Sequence, residues 1–154
     1  MFTTEEQIIA KLEALQKEVK KLITFFEQEY DYSVMVYAVW NAKDILGHLT
    51  FWHESFARNL TDVATDKIPN PLRGKLSEVN AESVNTTKNE TIKNLIKRLK
   101  QAQKTIETFI FMEHVTQIPY KKGSRDYSRL EHLEVVAKHI HKHMKHLNKA
   151  YGTP

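Results

Sequence analysis

Apolar residues recur at steps of three and four through four separate stretches of this chain, and that spacing restricts it to a helical fold. Ile8, Leu12, Leu15, Val19, Leu22 and Phe26 form the first stripe, and Ile45, Leu49, Trp52, Phe56 and Leu60 the second. Ile92, Leu95, Ile96, Leu99, Ile106, Phe109 and Ile110 form the third, and Leu130, Leu133, Val136, Ala137, Ile140, Met144, Leu147 and Tyr151 the fourth. Such a period places each set on one helix face, and no period-two alternation of any length competes with it. Amphipathic helices must bury those faces against one another, so the expected fold is an all-α four-helix bundle. With 154 residues, 41% of them hydrophobic, the chain is expected to form a single domain over residues 1–154.

Local signals set the expected helix limits. Thr3 with Glu6, or Thr4 with Gln7, has capping-box spacing for a first helix ending near Glu29 or Tyr30. Asn41 and Asp44 have the same relation, with Trp40 and Ile45 placed as a hydrophobic staple, and predict a second helix from Ala42 to about Val63. Pro69, Pro71 and Gly74 mark a loop, and the stretch up to Thr86 reads equally as a short helix or a crossover. Thr87 with Glu90 predicts the third start, and Ser128 with Glu131 the fourth. A connection from about Asp66 to Thr86 can carry the chain across the bundle, which would make the second and third predicted helices parallel.

Several function classes are disfavoured by composition. The chain has no cysteine, which excludes disulfides, thiolate metal sites and a cysteine nucleophile, so any thiol in its chemistry comes from outside. No apolar run approaches a membrane span, and the first residues lack the pattern of a signal peptide. A cytoplasmic protein with no membrane partner is therefore expected. The net charge of +4 comes from lysines alternating with acids, as in Lys17-Glu18-Val19-Lys20-Lys21, the pattern of a solvated helix face; a nucleic-acid partner is disfavoured. There is no Gly-x-Ser-x-Gly elbow and no phosphate-cradling glycine loop. Aromatic patches at the bundle ends would permit a homodimer without requiring one.

Histidines carry the chemistry that remains. His139 and His143 lie four apart on one helix face, whereas His141 falls on the other side of the apolar stripe. His48, at the edge of the second stripe, is the natural third partner, and three imidazoles leave a coordination position open on a metal. His132 shares the His139 face, so it, His141 and His146 stay open as substitutes for a proposed ligand. The competing reading is decoration of a basic, solvent-facing helix. His53 and His114 read as packing or surface residues, and Phe51, Trp52 and Phe56 as core. An all-nitrogen set suits zinc, nickel, copper or iron and does not suit magnesium or calcium. Asp44, one turn before His48, could bond the imidazole nitrogen left free, or act only as a cap.

The run Trp40-Asn41-Ala42-Lys43-Asp44-Ile45-Leu46-Gly47-His48-Leu49-Thr50-Phe51-Trp52 resembles the block that opens the second helix in the DinB/YfiT-like superfamily. Val79-Asn80-Ala81 and the final His-x3-His extend the resemblance over most of the chain. It implies an up-down-down-up bundle with a divalent transition metal, zinc or nickel first, on His48, His139 and His143. It further implies an enzyme that activates a low-molecular-weight thiol, or water, for attack on an electrophilic small molecule. A branch similar to the ClbS/DfsB proteins shares the first block and implies the alternative, a metal-independent small-molecule binding or toxin-protection protein.

Overall fold

The computed structural model describes residues 1–154 as five helices: α1 (Thr4–Phe26), α2 (Ala42–Ala64), α3 (Leu76–Asn85), α4 (Ile92–Phe109) and α5 (Arg129–Tyr151). Three isolated bridges are its only β pairing. The four long helices carry the four stripes, and α3 lies in the connection whose character was open from sequence. No helix is long and apolar enough to cross a membrane.

Capping defines most starts as expected. Thr3 Oγ1 accepts from the Glu6 amide at 3.1 Å, and the Asn41/Asp44 and Ser128/Glu131 pairs close as reciprocal boxes. Each such cap is worth about 1 kcal/mol. Two boundaries differ from expectation. The first helix stops at Phe26 because the chain turns back to seat Tyr32, whose ring lies 4.9 Å from that of Phe26 and whose hydroxyl lies 2.7 Å from the carbonyls of Phe25 and Gln28. Thr87 does not cap α4: its hydroxyl bonds back to the Ser83 carbonyl at 2.7 Å and so finishes α3, and Thr91 caps instead through the Asn94 amide.

Cross-helix pairs give the topology. Lys11–Glu134, Glu18–His141 and Phe25–Tyr151 run in the same order along α1 and α5, which are therefore parallel. Lys43 reaches the Lys88 carbonyl, Glu54 clasps Arg98 through two bonds, and His114 reaches the Ala64 carbonyl, so α2 and α4 are parallel. Gln16 meets Glu107 while Phe26 shares a groove with Ile92, which sets α1 antiparallel to α4. The bundle is up-down-down-up, with α3 in the crossover between the two parallel strokes. Leu15, Leu22, Ile45, Leu46, Leu49, Leu60, Leu95, Leu99, Ile106, Leu133 and Leu147 are sealed at its centre. Each contributes about 1.5–3 kcal/mol by leaving water.

Candidate metal centre

Antiparallel packing of α2 on α5 brings the two histidine segments to one point. His48 Nε2 lies 3.0 Å from His139 Nε2, and His139 Nε2 lies 3.1 Å from His143 Nε2. One ligand atom from each of the three rings lies within 4.8 Å of the others. His48 and His143 are buried and His139 is half-buried. Trp40 closes one side, its ring 4.7 Å from that of His48.

Hydrogen bonds behind the rings fix the inward lone pair of His48 and allow that of His143. Ser83 Oγ donates its single proton to the Asn80 carbonyl at 2.6 Å, so at 2.9 Å from His48 Nδ1 it must accept. His48 therefore carries its proton on Nδ1, and its Nε2 is a bare lone pair. Tyr37 Oη lies 2.7 Å from His143 Nδ1 and 2.6 Å from His146 Nδ1, and one hydroxyl can donate to only one of them. With donation to His146, it accepts from His143 Nδ1–H and leaves the His143 Nε2 lone pair facing the same point. His139 Nε2 stands between two such lone pairs and holds at most one proton, which satisfies one neighbour only. A cation at the centre satisfies all three. Metal–nitrogen bonds of about 2.0–2.1 Å in tetrahedral geometry set ligand nitrogens about 3.3–3.4 Å apart, close to the two spacings from His139 Nε2.

Electrostatics favour neutral rings. Burial first, then the neighbouring imidazoles and the Lys142 ammonium, hold His48 down at about 2 and, with His146 also acting, His143 at about 3. Burial followed by Lys142 holds His139 at about 4. Neutral imidazole is the form that binds metal, so no proton has to be displaced near neutral pH. These three buried histidines could bind a metal.

The remaining candidates separate cleanly. Asp44 does not reach His48: its carboxylate accepts from the Asn41 amide at 3.0 Å, and Ser83 takes the role behind the imidazole. His141 is exposed against Glu18 on the α1 side, and His146 sits behind Tyr37. His132 is buried against Phe56, with ring centroids 4.0 Å apart and planes 4° from parallel. His53 is a packing residue bonded to Gln103 Oε1 at 2.7 Å, and His114 caps α2 through the Ala64 carbonyl. Trp52 and Phe56 are core, whereas Phe51 is only half-buried. Tyr37 and Ser83 were not among the sequence candidates. Tyr37 comes from the irregular connection between α1 and α2, where no periodicity marks a face, and Ser83 from the short α3, one turn after Val79 of the Val79-Asn80-Ala81 block, which was the nearest signal to it.

No protein-family profile and no curated protein sequence matches this chain. Among solved structures, the crystal structure of the mycothiol-dependent maleylpyruvate isomerase matches with a TM-score of 0.70 at 9% identity, over 88% of this chain. The chain spans 58% of the length of that protein, and the likeness is one of fold.

Proposed function

We propose that the chain acts as one unit that holds a divalent transition metal on His48, His139 and His143 and uses it in an enzyme of the DinB-like kind. The observation that carries the reading is the inward convergence of three imidazole nitrogens, with Ser83 bonded to His48 Nδ1 and Tyr37 to His143 Nδ1 behind them. Zinc or nickel suits an all-nitrogen set better than magnesium or calcium. When bound, such an ion lowers the pKa of a thiol or water enough to make it a nucleophile near neutral pH. The structural neighbour is by name dependent on mycothiol, a low-molecular-weight thiol, which supports a thiol here; the absence of cysteine from this chain leaves that thiol to an external donor.

The chain's own residues have defined tasks in this scheme. Trp40 shields the His48 face from water, and Ser83 and Tyr37 hold ring orientation. Lys142, whose charge reaches all three rings, would favour an anionic group beside the trio. The test is metal analysis and zinc or nickel titration of tag-free protein. One equivalent bound, and lost in His139→Ala, is the expected outcome; a protein that takes up neither ion refutes the reading.

One observation favours a second reading, metal-independent binding that seats one group of a small molecule: an enclosed space walled by Trp52, Phe56 and Tyr120 lies beside His139. Under that reading, ligand protection persists in chelator and is lost in Trp52→Ala.

A further inference from the structure

The same space carries an inference about what the centre acts on. It lies between α2 and α5 and has a volume of about 30 Å³. A water-sized centre needs roughly 10–15 Å³, so the space takes one small functional group rather than a whole molecule. Trp52, Phe56 and Tyr120 supply flat apolar walls, with Trp52 and Tyr120 stacked at 5.0 Å. Asn59 and His132 are among its polar lining, and no lysine, arginine, aspartate or glutamate contributes to it. His139 lines it as well and joins it to the histidine trio.

Its unexplained member is His132. The ring is 1% exposed and neither of its nitrogens has a partner in good hydrogen-bond geometry, although the Pro119 carbonyl is near enough to favour its protonated form against the effect of burial. The Asn59 amide, which also lines the space, is committed to the Pro119 carbonyl at 3.2 Å. A neutral imidazole offers one donor and one acceptor, and buried polar groups are nearly always paired. An unpaired ring in the wall of a small space beside three convergent imidazoles is a group awaiting a partner. No cationic side chain lines the space to compensate an anion in the metal-free protein, whereas an uncharged carbonyl oxygen would find the ring N–H.

We propose that this chamber seats an uncharged carbonyl or hydroxyl group of the substrate, held by His132, so that the group presented beside the centre is a neutral carbonyl or hydroxyl rather than a carboxylate. This rests on the reading of the trio as a metal centre, but occupancy of the chamber is measurable without metal.

The experiment titrates chelator-treated, full-length protein with formamide, and separately with its anionic isostere formate. The readout is the Trp52 indole N–H signal, distinguished from that of Trp40 by its loss in Trp52→Phe. Formamide should shift this signal saturably and formate should not. His132→Leu should weaken formamide binding about threefold to tenfold, the loss of one hydrogen bond, and His132→Gln, which keeps a donor, should restore it. No saturable shift in the wild-type protein overturns the proposal, as does formate binding at least as tightly as formamide. Wild-type titration decides even if His132→Leu does not fold. Zinc uptake by the same sample reports on the metal centre independently, so failure of one reading is distinguishable from failure of the other.

Discussion

Replacing Gly47 by alanine tests how the site is assembled, because two opposing effects give opposite signs. Gly47 lies inside α2, where alanine on propensity alone would stabilise by about 1 kcal/mol. A methyl group there, however, would lie 2.1 Å from Thr87 Oγ1 and 2.9 Å from Thr87 Cβ. Thr87 is 2% exposed and its hydroxyl is tied to the Ser83 carbonyl at 2.7 Å, so it cannot swing aside without breaking that bond. Overpacking of this kind costs about 1–3 kcal/mol, and the broken bond about 1 kcal/mol more. The net expectation is destabilisation by about 1–3 kcal/mol, measured by urea unfolding in chelator. Displacing Thr87 also moves Ser83, so zinc affinity should fall in the same variant. In a Thr87→Ala background the cost of Gly47→Ala should shrink by at least about 0.5 kcal/mol, since the closest clash is gone. A Gly47→Ala protein as stable as the parent or more so, with no coupling to Thr87, would refute the close approach of the crossover on α2.

Ser83→Ala should lower zinc affinity about 10–100-fold, with partial recovery in Ser83→Thr, because the proton on His48 Nδ1 loses its acceptor; competition against a chelating dye measures it. Tyr37→Phe should act in the same direction through His143. Metal-free protein should lose stability on acidification, because His53, His132 and His139 at about 4, His143 at about 3 and His48 at about 2 all lie below the unfolded value near 6.5. Their contribution is complete above pH 6.5, where both states are neutral; below it the unfolded chain takes up protons first and stability falls, with His48, His139 and His143 titrating as one coupled group. Urea midpoints that stay flat between pH 6.5 and 4 would contradict the buried neutral rings.

What the sequence disclosed and what it withheld follow the range of the forces involved. The helix starts at Asn41 and Ser128 depend on contacts three residues apart, and they stand where the residues place them. The stripes of α2 and α5 also placed His48, His139 and His143 on flanks that meet once the helices pack. Thr87 misled because a Thr and a Glu three apart look like a cap until a tertiary contact claims the hydroxyl, here for the last turn of α3. Asp44 misled for the opposite reason: its local partner, the Asn41 amide, outcompeted a histidine one turn away. Ser83 and Tyr37 were invisible because their importance lies in separations of 35 and 106 residues along the chain, to His48 and His143 respectively.

X-ray absorption of tag-free protein loaded with one equivalent of zinc addresses the histidine trio most directly. Three imidazole nitrogens at about 2.0–2.1 Å with one oxygen or an added thiol sulfur completing the shell is the predicted result, collapsing to fewer imidazoles in His48→Ala. A shell of carboxylate and water oxygens, or one unchanged by His48→Ala, would contradict it.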